Sequence, residues 1–116
     1  MRFGIEAKQS NILPEIKTFQ PSSATDHRGE IWTIWERENV LPEGLKFNLC
    51  KFTRSTKDVL RGLHGCFHTW KYMSVPHGKV KFVVADVRKD SPNFLKWDSF
   101  VLSSEKSNNI YYKYFL

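Results

Sequence analysis

The sequence predicts an all-β domain of the sandwich or barrel type, and three observations carry that reading. Aromatic residues make up 15% of the chain, with nine Phe, four Trp and four Tyr, and such side chains suit the half-buried surface of a pleated sheet. Ala is scarce, and no long stretch of Ala, Leu, Glu and Lys exists to support a helix bundle. Short extended runs alternate with turn signals about every 8 to 12 residues, the punctuation of sandwiches and barrels. At 116 residues the chain is expected to form one domain, 1–116, with one core and one main site, which excludes a two-domain enzyme carrying its own cofactor domain.

The elements follow in order. Met1 to Ile5 reads as an edge strand. Pro14, Pro21 with Ser22 and Ser23, and the cluster Asp26-His27-Arg28-Gly29 are turn chemistry. Glu30 to Trp35 is β-branched and aromatic on both faces, which predicts a strand with neither face fully wet, ended by Pro42-Glu43-Gly44. Leu45 to Phe52 mostly alternates apolar and polar residues, so a strand there would put Leu45, Phe47 and Leu49 on one face. Ser55-Thr56-Lys57-Asp58 turns the chain. Val59 to Phe67 and Lys71 to Val75 read as extended, and Pro76-His77-Gly78 as a hairpin turn into Lys79 to Val87. Asp90-Ser91-Pro92-Asn93 is another turn, Trp97 to Leu102 a last strand, and Ile110 onward an aromatic tail after the polar stretch Ser103 to Asn109.

No apolar run reaches the roughly 18 to 20 residues of a membrane helix, and the start lacks the apolar stretch of a signal peptide. The expectation is a soluble cytoplasmic protein with no membrane partner. Cys50 and Cys66 are expected as two reduced thiols, since two cysteines in a domain able to build a core make no disulfide framework. Eighteen Lys and Arg against twelve Asp and Glu give a net charge of +6, which suggests an anionic partner. The cations are scattered, with no run longer than two. That argues against a basic arm or a polybasic membrane anchor and leaves a local positive pocket or diffuse charge.

Arg61-Gly62-Leu63-His64 is the most pointed stretch, because it sets a fixed cation three residues from a titratable base. Residues of opposite parity on a strand face apart, but a glycine can host a bulge that re-aims its neighbour. His64 then shares a cavity with Arg61 and with Lys71 from the next strand. A base beside two cations suits removal of a proton α to a carbonyl in an anionic substrate: His64 takes the proton, Lys71 steadies the enolate oxygen, and Arg61 holds phosphate. The commoner role of a lone strand histidine is structural hydrogen bonding.

Two rivals come from the same region. His64, Cys66 and His68 alternate and would face one way on a strand, as metal ligands do, but no Glu lies between Glu43 and Glu105 to complete an iron site; no metal and no cofactor is expected. Phe67, Trp70, Lys71, Tyr72, Lys79 and Lys81 interleave aromatics with cations as single-strand binders do. The ordinary account is core aromatics with solvated edge lysines, and no nucleic-acid partner is expected.

These residues resemble the dTDP-4-dehydrorhamnose 3,5-epimerase family of cupin-type jelly rolls. The matching text is Asp26-His27-Arg28-Gly29, then Ser55 with Val59-Leu60-Arg61-Gly62-Leu63-His64, then Lys71. It continues through Gly78, Val80, Asp86-Val87-Arg88, Ser91-Pro92, Phe94, Lys96-Trp97, Leu102-Ser103 and Glu105, with order and spacing kept from about residue 19 to 105 apart from a shorter loop before Lys71. The resemblance implies an all-β, cupin-like jelly-roll sandwich and a cofactor-independent epimerase or isomerase acting on a nucleotide-diphosphate sugar. It implies His64 as catalytic base, Lys71 beside the substrate carbonyl, Arg61 on the nucleotide-sugar, and Arg28 reaching the diphosphate in the site of a dimer partner.

The departures carry information too. Leu49 and Lys51 stand where the family usually has Gln and Asn, so Lys51 is a substrate-binding candidate with altered nucleotide contacts, and Thr33 replaces a usual Glu. After Ser103-Ser104-Glu105 the family's Pro-Gly-Phe-Ala-His-Gly-Phe-like strand, catalytic Tyr and late Asp have no match, so the jelly roll is expected to be incomplete at the C-terminus relative to the family. Such a sandwich hides its apolar surface and open edges most simply in a homodimer. The acid facing His64 then falls to Tyr111, Tyr112 or Tyr114, whereas alternation turns Tyr72 away from Lys71. The alternative function is a non-catalytic nucleotide-sugar-binding relative that has lost the catalytic Tyr.

Overall fold

The computed structural model describes residues 6–20, 23–34, 47–65, 70–105 and 109–113. They contain eight strands and no helix: β1 (Glu6–Gln9), β2 (Lys17–Gln20), β3 (Ser23–Asp26), β4 (Gly29–Trp32), β5 (Trp70–Ser74), β6 (Lys79–Ala85), β7 (Trp97–Ser103) and β8 (Asn109–Lys113). A four-stranded sheet runs β1-β2-β8-β5, and two ribbons pair β3 with β4 and β6 with β7. Every described pairing is antiparallel.

The core lies between the large sheet and the β6–β7 ribbon. Leu13 and Ile16, from the loop joining β1 to β2, are buried with Val84 of β6 and Leu102 of β7, and Met73, Val75, Phe82 and Phe100 pack against them. Met73 and Val75 share parity with Lys71, so this face of β5 looks into the sandwich. Ser10 closes the loop: its hydroxyl accepts from the backbone N–H of Ile12 and Leu13 and donates to Asp98 on β7 at 2.6 Å.

The β6–β7 connection is held by a buried carboxylate. Asp86, with no exposed surface, accepts from the Arg88 guanidinium at 3.0 and 2.9 Å and from the Ser91 hydroxyl at 2.5 Å, while Arg88 also pairs with Glu15 at 3.1 Å. Burial pushes the Asp86 carboxyl up, but the hydrogen bonds from Arg88 and Ser91 outweigh it and hold it at about 2. Because this lies below the unfolded value of 3.8, the stabilisation is complete above that value and drains away as the pH falls through about 4 towards 2. Asp86→Ala is expected to cost about 2 to 4 kcal/mol near neutrality, partly by leaving Arg88 without its main partner. The gap from wild type in chemical denaturation should narrow as the pH drops. An equal gap at neutral and strongly acid pH would refute this account.

Several expected elements differ. The strand expected over Glu30–Trp35 ends at Trp32 within the described residues, and Glu30 and Ile31 are exposed rather than shielded, while Trp32 is half-buried. Leu45 to Phe52 forms no strand where described: residues 47–52 are irregular and exposed, with Phe52 91% accessible. Their alternation has no sheet to read against, since no described strand pairs with them. Residues 59–65 are likewise irregular. Pro76-His77-Gly78 turns the chain but makes no hairpin, because β5 pairs with β8 and β6 with β7; the turn carries the chain from one sheet to the other. The aromatic tail supplies β8, an interior strand between β2 and β5. The expected edge strand Met1–Ile5 lies outside the described residues.

Candidate active site

Of Arg28, Lys51, Arg61, His64 and Lys71, Lys71 alone lies on a strand. It sits half-buried on β5, on the parity that faces the core, and the β5–β8 register sets Tyr112 opposite it and Tyr111 opposite Tyr72. Tyr72 is otherwise engaged. Its hydroxyl donates to the Ile34 carbonyl, and its ring meets those of Phe19 and Phe47 at 5.9 Å each. The expectation that Tyr72 faces away from Lys71 therefore holds, and its ring ties the end of the β4 region and the start of the irregular segment to the large sheet.

Lys51, Arg61 and His64 all lie on that exposed irregular segment, 47–65. Asp58, at φ 63°, turns it back on itself, so Ser55 comes beside Arg61 and accepts from its Nε at 2.9 Å. Gly62 follows at φ 104°, a conformation open to glycine and strained for other residues. A Cβ built there would lie 3.8 Å from His64 Nδ1, so the glycine backbone and the imidazole are immediate neighbours. Gly62 thus stands at a positive φ outside any strand, rather than in the strand bulge that the sequence suggested.

Arg28 occupies the two-residue turn of the β3–β4 hairpin. Asp26 accepts from its backbone N–H at 2.8 Å and from Nε and Nη2 at 3.1 and 2.6 Å. These side-chain hydrogen bonds hold the Asp26 carboxyl below its ordinary value and raise Arg28. Two open concavities flank these elements. One of about 650 Å³ lies along Glu15 and Val87–Pro92, and one of about 440 Å³ runs along the hairpin with Arg28 in its wall. Neither is lined by His64, Arg61 or Lys71.

Of the candidates, Arg61 and His64 share one irregular segment, with Gly62 beside the imidazole. Among the described residues no hydrogen bond or ion pair links Lys71, Arg28 or Lys51 to that segment. The metal-ligand reading falls partly outside the described residues, which lack Cys66 and His68. Among described residues no three His, Cys, Asp or Glu side chains cluster as ligands would. Two partners were not assigned a role from sequence: Asp26 as the carboxylate holding Arg28, and Ser55 as the acceptor for Arg61. The Asp26-His27-Arg28-Gly29 turn chemistry was a signal for the first, whereas the second requires the fold-back at Asp58.

Comparison with known proteins gives a consistent result. Residues 10–113 match the family model for dTDP-4-dehydrorhamnose 3,5-epimerase. A dTDP-4-dehydrorhamnose 3,5-epimerase of Shigella flexneri is 30% identical over 105 residues, covering 85% of this chain and 58% of that protein. The Neisseria gonorrhoeae enzyme of the same name is 35% identical over 101 residues, covering 80% of this chain and 30% of that protein. Among solved structures, the dTDP-6-deoxy-D-glucose-3,5-epimerase of Legionella pneumophila, in complex with dTDP-4-keto-L-rhamnose, superposes with a TM-score of 0.88 at 30% identity, covering 97% of this chain and 62% of that one. A Streptococcus suis relative in complex with dTDP-D-xylose gives 0.73 at 27% identity, covering 97% and 60%. The chain thus spans about 60% or less of the length of these relatives. The likeness identifies the strand arrangement as the expected cupin-like jelly roll.

Proposed function

Because this chain belongs to the dTDP-4-dehydrorhamnose 3,5-epimerase family, we propose that it binds a nucleotide-diphosphate sugar and moves a proton at a carbon beside a 4-keto group, as a cofactor-independent epimerase or isomerase. The family match over residues 10–113 carries this reading, and the Arg61-Gly62-Leu63-His64 segment supports it, with Gly62 at φ 104° beside the His64 imidazole. In the proposed reaction a His64 ring nitrogen accepts the proton from the carbon α to the carbonyl. The electron pair left behind moves into an enolate, and the Lys71 ammonium stabilises its oxygen. Arg61, Arg28 and Lys51 neutralise the diphosphate and nucleotide. Reprotonation from the opposite face inverts the carbon, and Tyr112, opposite Lys71 in the β5–β8 register, is the proposed donor.

The site is completed by a second copy of the chain. Leu49, Phe52, Leu60 and Leu63 on the irregular segment are 67 to 94% exposed, and Ile31 on the ribbon is 73% exposed, more apolar side chain than a solitary domain usually leaves to water beside its own site. A homodimer would cover this surface and bring Arg28 on its hairpin to the partner's turn. Light scattering at micromolar concentration is expected to give twice the chain mass; a monomer would rule out this arrangement.

The proposed function is tested by mixing the protein with a dTDP-4-keto-6-deoxyhexose and reading the sugar by NMR. A new configuration beside the carbonyl is the expected result. Binding of the sugar nucleotide with no change in the sugar would instead favour the non-catalytic binding relative. That second reading is supported by His64 itself: among the described residues no group hydrogen-bonds the imidazole to fix its tautomer.

A further inference from the structure

We propose that Ser55 is a positioning residue, holding Arg61 so that the two-nitrogen end of its guanidinium is presented to an anionic ligand. The inference rests on the reading of Arg61 as an anion anchor and adds to it a residue with no role in the reaction.

The guanidinium of Arg61 is a planar, rigid fork. Its five N–H donors lie in one plane, one on Nε and two on each Nη. Ser55 Oγ takes the Nε donor at 2.9 Å, and among the described residues this is the side-chain hydrogen bond that Arg61 makes. With the inner donor engaged, the end-on pair of Nη groups points away from Ser55, the arrangement that meets two oxygens of a phosphate at once. Both partners are exposed, so a long, flexible arginine is held here by the backbone path that returns residue 55 to residue 61. Asp58 at φ 63° makes that return, and Gly62 at φ 104° then leads the chain directly to His64.

Arg28 shows why a hydroxyl suits this task. There the holding group is a carboxylate, and Asp26 occupies Nε and Nη2 together. One full edge of that fork is spent on an internal anion, and the local charge is largely neutralised. Ser55 is uncharged and occupies one donor, so Arg61 keeps its whole positive charge and an open fork. Of the two arginines, Arg61 is therefore the stronger anchor for a diphosphate, and Ser55 preserves that strength while fixing the direction.

The test uses Ser55→Ala, Ser55→Thr, Arg61→Ala and the Ser55→Ala/Arg61→Ala double variant, with thymidine diphosphate as the probe in calorimetry and the thermal midpoint as a check on folding. Ser55→Ala is expected to weaken binding by about tenfold, the size of one hydrogen bond to a charged group. Its midpoint should stay at the wild-type value, and Ser55→Thr should bind within about twofold of wild type because the hydroxyl is kept. In the Arg61→Ala background, Ser55→Ala is expected to cost nothing more. With the keto-sugar, KM should rise in Ser55→Ala while kcat stays level. Wild-type affinity in Ser55→Ala, or an equal loss in Ser55→Thr, would overturn the proposal. A further loss on top of Arg61→Ala would also overturn it, since Ser55 would then touch the ligand itself. Wild-type affinity in Arg61→Ala would overturn the anchor reading on which it stands.

Discussion

Replacing His64 with Ala is expected to stop proton exchange between solvent and the sugar while leaving the nucleotide bound. General-base removal contributes about 10²- to 10⁴-fold, so the variant should fall by at least two orders of magnitude in exchange rate. The fold should survive the change. His64 lies on an exposed segment, and among the described residues it carries neither a core contact nor a hydrogen bond, so its removal leaves no buried group unpaired. Thymidine diphosphate should bind about as tightly as before, because the proposed anchoring charges on Arg61, Arg28 and Lys51 are kept. A His64→Ala protein that exchanges as fast as wild type would show the base to be elsewhere.

The second large effect is expected at Tyr112. Removing a proton and returning it to the same face gives exchange without a new sugar; inversion requires a donor on the other face. The β5–β8 register sets Tyr112 opposite Lys71 and Tyr111 opposite Tyr72, and the residue opposite the proposed enolate partner is taken as the donor. This separates two tyrosines that the sequence left as equals. Tyr112→Phe should therefore cut epimer formation by about a hundredfold while deuterium exchange continues, and Tyr111→Phe should not separate the two. Equal loss of exchange and epimer in Tyr112→Phe, or no loss of either, would remove Tyr112 as the donor. Tyr114 lies outside the described residues.

Much of the sheet architecture was legible because it rests on local signals. Trp97 to Leu102 and Lys71 to Val75 have the β-branched and aromatic content of strands that pack on a core, and both are strands, with β7 extended to Ser103 and β5 starting at Trp70. The turn at Asp26 to Gly29 was readable from an Asx residue followed by glycine. The short strands β1 to β3 were not recognised, since Glu6–Gln9 and Lys17–Gln20 are largely polar and owe their order to pairing. The same point explains the error at Leu45 to Phe52: period-two alternation describes one face of a strand, yet strands exist only where a partner supplies hydrogen bonds. In the site, the Arg61-Gly62-Leu63-His64 segment and its glycine were visible as four consecutive letters. The holding contacts of Ser55 and the opposition of Lys71 to Tyr112 depend on a left-handed turn and on sheet register, neither of which residue type alone determines.

Proton removal by His64 beside a keto group is the central step of the proposed chemistry. The most direct measurement is to incubate the wild-type protein with a dTDP-4-keto-6-deoxyhexose in deuterated water and to follow the sugar by mass spectrometry, before any product is analysed. The expected result is a gain of deuterium at a carbon adjacent to the carbonyl that grows with time and protein concentration. A sugar that binds and keeps all of its original hydrogen would contradict the account, and the chain would then be a sugar-nucleotide-binding member of the family.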